Sequence, residues 1–180
     1  MRRYIRANTP GATYFFTVAL EDRRSNLLLD QVDLLRHCVA EVRAKHPFRI
    51  DAMVVLPDHL HALWTMPVDD ADFARRWMLV KQSFTKHLTK SGALPSKARE
   101  ARGAKGERSV WQRRYWEHQI RDERDFAAHV DYIHFNPVKH GLVARAAEWP
   151  YSSFHRFVRD GRLGPDWGVR AEVRVPSARE

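Results

Sequence analysis

Apolar positions along the chain follow two different spacings, which predicts a mixture of strands and helices. Residues 13–20 are rich in aromatic and β-branched side chains and predict a buried strand. Between residues 30 and 45 the apolar positions fall on one helical face, with Asp30 as the predicted N-cap. The remaining predicted elements are strands at 48–56 and 59–66 around a turn at 57–58, a helix at 69–88, a strand within 110–121, a helix from 122 to 136 and a short helix within 149–158.

The helix that begins at residue 122 carries a polar, partly aromatic face near its end. Pro137 disfavours helical geometry at the residue before it, so we expect this helix to end at Asn136. Tyr132 and Asn136 are four residues apart and therefore project from the same face. Taken alone, a phenol and an amide in this arrangement are typical of a structural pair.

The order strand, helix, hairpin of two strands, helix, strand predicts a ferredoxin-like αβ sandwich of the α+β class. Its sheet is mostly antiparallel, and its first two helices cover one face. We predict one domain over residues 1–165. It is interrupted by a mobile basic loop at about 91–109 and followed by an extended tail over 166–180.

The composition indicates the class of protein and the compartment in which it is expected. The chain has 180 residues, of which 44% are hydrophobic, so it can bury a substantial core. The lone Cys38 excludes an internal disulfide framework and a Cys-rich zinc site, and it fits a reducing compartment. The N-terminus does not resemble a signal peptide, and no apolar run reaches membrane-span length. We therefore expect a cytoplasmic protein without a membrane partner.

The charge balance favours a polyanionic partner. The chain has 31 Lys and Arg residues against 22 Asp and Glu, a net charge of +9. Neutralising phosphates releases condensed counterions, which drives basic proteins onto nucleic acids. Six Trp, five Tyr and nine Phe residues also offer stacking surfaces for unpaired bases, although most of them are expected in the core. A soluble protein with a merely basic surface has the same charge balance.

The segment His59-Leu60-His61 begins the second strand of the predicted hairpin. Because strand side chains alternate, the two imidazoles share one face and can chelate a single divalent cation. An isolated pair of this kind is more often two surface histidines. The helix described above changes the balance, because it supplies the Asn136 amide oxygen as a third ligand and Tyr132 as a nucleophile. Three ligands leave coordination positions open for a phosphate oxygen.

These residues carry a family resemblance. His59-Leu60-His61 resembles the histidine–hydrophobic–histidine motif of the HUH endonucleases. Two segments resemble the REP-associated tyrosine transposases, which are single-tyrosine relatives of insertion-sequence transposases. They are residues 55–64 (VLPDHLHALW) and residues 132–141 (YIHFNPVKHG). The resemblance extends from about Arg3 to Trp167, with departures expected in the loop at 91–109 and in the tail.

The resemblance implies a fold, a substrate, a cofactor and a reaction. The domain at 1–165 would be an HUH catalytic domain, and its cofactor would be Mg²⁺ or Mn²⁺. The spacing of the histidines alone does not select that metal, since imidazole suits zinc or nickel equally. The substrate would be single-stranded DNA that folds into an imperfect hairpin, as in repetitive extragenic palindromes (REPs). Tyr132 would attack the DNA and form a 5′-phosphotyrosine link, and Lys139, His134 or His140 would help to remove its proton.

Several other residues are candidates for contact with DNA, although each also has an ordinary structural interpretation. A basic N-terminus often only contacts solvent, and Trp111 is equally suited to the core. We expect His118 and His129 to be structural or surface residues rather than ligands. The candidates for DNA contact are Arg2, Arg3, Tyr4, Arg6, Trp111, Arg113, Arg114 and Lys139.

Two other functions remain as alternatives. A ferredoxin-like sheet can bind nucleic acid without catalysis, in which case the histidines would be vestigial. A two-histidine phosphoesterase would need a second histidine motif with hydroxyl partners, and the sequence has only one such motif. The resemblance implies a monomer, as in REP-associated relatives, but insertion-sequence relatives act as dimers, so a dimer stays open.

Overall fold

The secondary-structure elements follow the predicted order. The computed structural model describes residues 8–94 and 110–169. Arg2, Arg3, Tyr4 and Arg6, most of the basic loop and the tail from residue 170 lie outside the described residues. The elements are β1 (Thr13–Ala19), α1 (Leu27–Asp30), α2 (Val32–Lys45), β2 (Arg49–Val55), β3 (His59–Thr65), α3 (Phe73–Lys90), β4 (Trp116–Gln119), α4 (Glu123–Lys139), a 3₁₀ helix (Ala146–Glu148) and α5 (Phe154–Arg159).

Within the described residues, the four strands form one sheet in the order β2-β3-β1-β4. All three pairs of neighbouring strands are antiparallel. This is the sheet of a ferredoxin-like sandwich, so the predicted fold class is confirmed. The strand β3 is central, and its register with β1 places Thr17 opposite His61 and Ala19 opposite His59.

The two faces of the sheet bury separate apolar cores. On one face Phe16, Leu60 and Trp64 pack with α2 and α3, and the ring of Trp64 stacks on Trp77 at 4.0 Å. On the other face Phe15 and Leu63 pack with α4, α5 and the segment between them. The predicted alternation is confirmed, because Leu60 lies on the first face whereas both flanking histidines lie on the face that α4 covers.

Two predicted helix starts are wrong. Asp30 is the last residue of the single-turn helix α1 rather than an N-cap, and α2 begins at Val32 after Gln31. The next helix begins at Phe73 instead of residue 69. There the Asp72 carboxylate caps α3 by accepting a hydrogen bond of 2.9 Å from the backbone N–H of Arg75. Three acidic residues, Asp69, Asp70 and Asp72, precede α3, and apolar spacing does not tell which of them is the cap.

The predicted end of α4 at Asn136 is also wrong, because the helix continues through Pro137 to Lys139. Proline in the last turn removes only the hydrogen bond to the carbonyl four residues earlier, and the remaining bonds hold that turn. The helix ends in a Schellman motif. Gly141 N–H donates to the Val138 carbonyl at 2.9 Å, and Leu142 N–H donates to the Pro137 carbonyl at 2.9 Å.

The C′ residue of this motif gives a first testable prediction. Gly141 has a φ of +66°, and a Cβ added there would meet nothing within 4 Å, so the strain of an alanine would be local. We expect Gly141→Ala to lower the free energy of unfolding by about 1–2 kcal/mol. Gly164→Ala is the matched control, since Gly164 has no positive φ and equal space. Urea denaturation of both variants measures the difference, and equal stabilities would contradict the capping role.

The last described residues pack on the domain instead of leaving it. The ring of Trp167 lies 6.2 Å from that of His134 and 6.0 Å from that of Phe154. Within residues 8–94 and 110–169, none of the helices is long and apolar enough to cross a membrane.

Candidate active site

The two histidines of the central strand lie side by side beneath α4. Their ring centroids are 5.0 Å apart and their planes are nearly perpendicular, at 84°. His59 and His61 are both buried. The structure therefore brings these two predicted ligands together on one face of the sheet.

Each ring has its Nδ1 atom held by a neighbouring side chain. His59 Nδ1 lies 2.8 Å from the Asp58 carboxylate, which also forms a salt bridge of 2.6 Å with Arg23. His61 Nδ1 lies 2.9 Å from the hydroxyl of Thr17, its cross-strand neighbour. Partners of this kind fix the orientation and tautomer of metal-binding histidines. They leave the Nε2 atom of each ring as the donor toward the space beneath α4.

One face of α4 lies over the histidine pair. The Tyr132 ring lies 5.0 Å from the His61 ring, and the His140 ring lies 5.3 Å from the His59 ring. Asn136 is one helical turn from each of them and projects from the same face. Its side chain is fully buried. Helix geometry thus places the Asn136 amide between Tyr132 and His140, on the face of α4 that covers the two histidines.

Four buried polar atoms at this place lack a hydrogen-bond partner among the described residues. They are His59 Nε2, His61 Nε2, Asn136 Oδ1 and Asn136 Nδ2. Leaving a buried polar group unsatisfied costs about 1–3 kcal/mol, so such a concentration indicates a ligand. Two imidazole nitrogens and one amide oxygen can hold a divalent cation and leave coordination positions open. The residues present therefore fit a divalent cation.

Electrostatics keep His61 in the form that a cation requires. Burial lowers the pKa of His61 well below its usual range, and electrostatic interactions with the basic groups His59, His140, Lys139 and Arg23 lower it further. The ring is therefore neutral near pH 7, with its lone pair available. For Asp58, burial raises the pKa, but the hydrogen bond and charge of His59 and the charge of Arg23 outweigh burial. The Asp58 pKa consequently lies below its ordinary value, and the carboxylate stays ionised beside His59.

The basic residues predicted to assist Tyr132 divide into two groups. Lys139 is exposed, and its Nζ atom lies 5.0 Å from the centroid of the Tyr132 ring. His140 contacts His59, as described above. His134 instead points away from the site and forms a hydrogen bond of 2.9 Å with Ser153. Burial, followed by the charge of Arg156, lowers the pKa of His134 to about 3, so it is a neutral packing residue. Its predicted role beside Tyr132 is wrong.

A small cavity opens beside the histidine pair. It has a volume of about 200 Å³, and its lining includes Arg23, Arg24, Asp58, His59 and His140. Tyr132 itself is only 1% exposed. The nucleophile candidate is therefore covered in this conformation, and the cavity is where the site approaches the surface.

The predicted DNA-contact residues that the structure describes lie in different environments. Trp111 is buried against Phe84, with ring centroids 5.4 Å apart, and so belongs to the core. Arg113 and Arg114 are exposed. Arg113 also lines a groove beside α3 of about 570 Å³, together with Arg75 and Lys81. Most of the residues that line this groove belong to α3, so the groove lies on the face of the sheet opposite α4.

A second group of ligand-type side chains lies at the start of α4. His118, Asp125 and His129 place one ligand atom each within 4.8 Å of the others, which is close enough to hold a metal ion. The sequence interpretation left these residues out of the site. The spacing of Asp125 and His129, four apart on a helix, was a detectable signal. His118 has no such signal, because it comes from β4 and only the fold brings it to the helix.

Fold and site together define a class of protein. An antiparallel sheet that carries a histidine–hydrophobic–histidine pair on a central strand, beneath a helix that bears a tyrosine, is the HUH endonuclease fold. A solved structure of a REP-associated tyrosine transposase bound to a REP hairpin has this architecture. It superposes with a TM-score of 0.85 at 42% identity, over 100% of this chain and 98% of that chain.

Sequence comparison specifies the family. The chain is 44% identical over 167 residues to the REP-associated tyrosine transposase of Escherichia coli K12, covering 93% of this chain and 91% of that protein. It is 41% identical over 175 residues to a protein assigned to the same family in Haemophilus influenzae, covering 97% and 98%. No family model matches the chain. The chain therefore belongs to the REP-associated tyrosine transposases.

Proposed function

We propose that this protein is a metal-dependent endonuclease and strand transferase that acts on single-stranded, hairpin-forming REP DNA. The observation that carries the proposal is the cluster of partnerless buried donors. His59 Nε2, His61 Nε2 and the Asn136 amide lie together without a hydrogen-bond partner among the described residues. Tyr132, the nucleophile candidate, is in ring contact with His61. Buried donors without partners fit a cofactor site better than a purely structural pair of histidines.

Tyr132 is proposed as the nucleophile. Its phenol oxygen forms a bond to the scissile phosphorus, and the bond from phosphorus to the 3′ oxygen breaks. The products are a 5′-phosphotyrosine link and a free 3′-hydroxyl. Because the link keeps the energy of the phosphodiester, another 3′-hydroxyl can reverse the step and join strands without ATP. The histidine pair lies on β3 and Tyr132 on α4, and these two elements pack together. The proposed cation site and the nucleophile are therefore held close to each other, as such a covalent step requires.

Proton removal from the phenol falls to the basic groups beside it. A tyrosine has a pKa of about 10 in its ordinary state, so attack near pH 7 needs help. The Lys139 ammonium lies near the Tyr132 ring and stabilises negative charge on the phenol as the proton leaves. His140, next to His59, is the second candidate. A divalent cation bound by His59, His61 and Asn136 would withdraw charge from the scissile phosphate and orient it.

Substrate access requires a change at the covered site. Since Tyr132 is almost fully buried, its surroundings have to rearrange before a phosphate can reach the phenol. We propose that the DNA strand approaches along the cavity beside His59, where Arg23 and Arg24 provide positive charge. Phosphate contacts of this kind position a strand without reading its bases.

The DNA partner follows from the family. A relative with 42% identity has been solved in complex with a REP hairpin. We propose a REP hairpin as the substrate here too, contacted by Arg113, Arg114 and Lys139 among the described residues. The N-terminal candidates and the basic loop would add contacts from outside them. We also propose that one chain is sufficient for cleavage, because both histidines, Asn136 and Tyr132 come from the same chain.

Formation of a covalent adduct tests the proposed function. The full chain is incubated with Mn²⁺ or Mg²⁺ and a labelled single strand that contains a REP hairpin from the host genome. We expect a protein–DNA species that survives denaturing electrophoresis and disappears after protease treatment. The matched substrate has the same composition with the hairpin scrambled. Tight, non-covalent binding without an adduct in either metal would instead support the alternative, a nucleic-acid-binding module without catalysis.

The third ligand gives a prediction of its own. Asn136→Ala removes the amide oxygen from the donor set, so we expect a higher metal requirement, with the Mn²⁺ concentration for half-maximal cleavage raised about 10–100-fold. Asn136→Asp keeps an oxygen donor and should retain more activity than the alanine variant. Affinity for the hairpin, measured without metal, should change little in both variants.

A structural role for Asn136 predicts different results. If Asn136 only supports the last turn of α4, the alanine variant loses thermal stability while its metal requirement stays that of the wild type. Measuring cleavage against Mn²⁺ concentration together with the melting temperature distinguishes the two roles. An unchanged metal requirement would remove Asn136 from the proposed ligands.

A further inference from the structure

Three ligand-type side chains converge where strand β4 meets the first turns of α4. The Asp125 carboxylate contacts one nitrogen of each of two imidazoles. His118 Nε2 is 2.8 Å from Asp125 Oδ2, and His129 Nδ1 is 3.2 Å from Asp125 Oδ1. The two imidazole rings are stacked, with centroids 4.9 Å apart and an angle of 17° between their planes. The Asp125 and His129 side chains are buried, at 8% and 6% exposure, whereas His118 is 29% exposed.

These distances match those between the ligands of one small ion. Ligand atoms about 2.1 Å from a tetrahedral cation lie roughly 3.4 Å from one another. The two nitrogen–oxygen distances above, each to a different oxygen of Asp125, are slightly shorter, and one ligand atom from each of the three residues lies within 4.8 Å of the other two.

We propose that His118, Asp125 and His129 form a second metal site, separate from the one at His59 and His61, for a transition-metal ion of the Zn²⁺ class. Two imidazoles and one carboxylate select zinc, cobalt or nickel over magnesium, which prefers oxygen ligands and keeps its waters. Water completes the coordination on the exposed side of His118. On binding, each neutral ring takes the tautomer that carries its proton on the other ring nitrogen, so that His118 Nε2 and His129 Nδ1 present their lone pairs to the ion.

An ion at this site would link α4, the helix that carries Tyr132, to the edge of the sheet. His118 belongs to β4, whereas Asp125 and His129 belong to α4, so one ion would link the two elements. Phe15 connects the cluster to the active site. Its ring lies 4.7 Å from His129 and 5.7 Å from Tyr132. A metal here would therefore limit movement of the helix that positions the nucleophile.

A metal-free network is the competing explanation. Asp125 Oδ2 also accepts hydrogen bonds from the Arg121 backbone N–H at 3.1 Å and from Arg121 Nε at 3.2 Å. His129 Nδ1 lies 2.8 Å from the Asp125 carbonyl oxygen. These contacts satisfy the group without an ion. The competing explanation predicts that no metal binds at this place, which makes the difference measurable.

Metal binding by a chain without the first site tests the proposal. The full chain carries His59→Ala and His61→Ala, is freed of metal with a chelator and is titrated with Zn²⁺ in a calorimeter and with Co²⁺ in a spectrophotometer. We expect one equivalent of metal per chain, with the intense visible bands of tetrahedral cobalt. Adding His118→Ala should abolish that equivalent. Because no DNA cleavage is measured, the result is independent of the proposed function.

Matched variants keep the result interpretable. His37→Ala in the same background removes an exposed histidine on α2 and should leave the metal equivalent intact. Asp125→Asn serves as a second variant with nearly unchanged shape, and circular dichroism confirms that each protein is folded. The proposal is overturned by absence of bound metal in the His59→Ala/His61→Ala protein. It is equally overturned by metal binding that survives both His118→Ala and Asp125→Asn, or that is lost with His37→Ala.

Discussion

Replacing Tyr132 by phenylalanine is expected to abolish formation of the covalent adduct and DNA cleavage. The substitution removes one oxygen, and without that oxygen no bond to phosphorus can form. The ring itself should stay in place, because it packs against His61 at 5.0 Å and against Phe15 at 5.7 Å. We therefore expect the free energy of unfolding to change by about 1 kcal/mol or less, and hairpin affinity to stay within about threefold of the wild type. Adduct gels, melting curves and a binding titration measure the three quantities.

A second tyrosine provides the control for this substitution. Tyr151 is half-buried and packs against Trp149, with ring centroids 5.8 Å apart, in the segment that precedes α5. Tyr151→Phe should form the adduct at the rate of the wild type. Adduct formation by Tyr132→Phe would show that another residue attacks the DNA, and the assignment of the nucleophile would then be wrong.

The parts of the fold that depend on periodicity could be predicted from the sequence. Alternation along a strand has a strict period of two, so Leu60 had to face away from His59 and His61. The helical period likewise placed Tyr132 and Asn136 on one face. These two periods, with the order of the elements, were sufficient for the antiparallel sheet and for which side chains share a face, whereas the second apolar core beneath α4 was not predicted.

Features decided by competition between neighbouring groups could not be predicted in this way. Pro137 favours a helix end at Asn136, but the Schellman motif at Gly141 stabilises one more turn and decides the actual end. Asp72 caps α3 although Asp69 and Asp70 precede it with the same chemistry. Each choice depends on small differences in free energy that the local sequence does not reveal.

Contacts between elements that are distant in the sequence also could not be predicted. His134 was an assistant candidate because it is two residues from Tyr132, yet a helix turns about 100° per residue and directs it to Ser153 instead. His118 and His129 were expected to be structural or surface residues rather than ligands. They meet only because β4 pairs with β1 and α4 packs across the same face of the sheet.

Replacing His59 or His61 by alanine is expected to remove most cleavage activity, by about 100-fold or more. The two residues supply both nitrogen donors of the proposed cation site, and each ring is buried with its Nδ1 atom already held. Asp58→Asn should have a smaller effect than either alanine variant. It weakens the orientation of His59 without removing a donor, so we expect a 10–100-fold loss of metal affinity.

The metal dependence of these variants distinguishes a lost ligand from a damaged fold. Wild-type cleavage should stop in excess chelator and return with Mg²⁺ or Mn²⁺, and Asp58→Asn should recover at higher metal concentration. The alanine variants should recover little activity at any metal concentration, although they melt as cooperative, folded proteins and still bind the hairpin. His37→Ala, on the opposite side of the sheet, is the matched control and should behave as the wild type. Cleavage that continues in excess chelator would refute the metal role. The chelator removes the cation that His59 and His61 are proposed to bind, so the remaining activity could not depend on it.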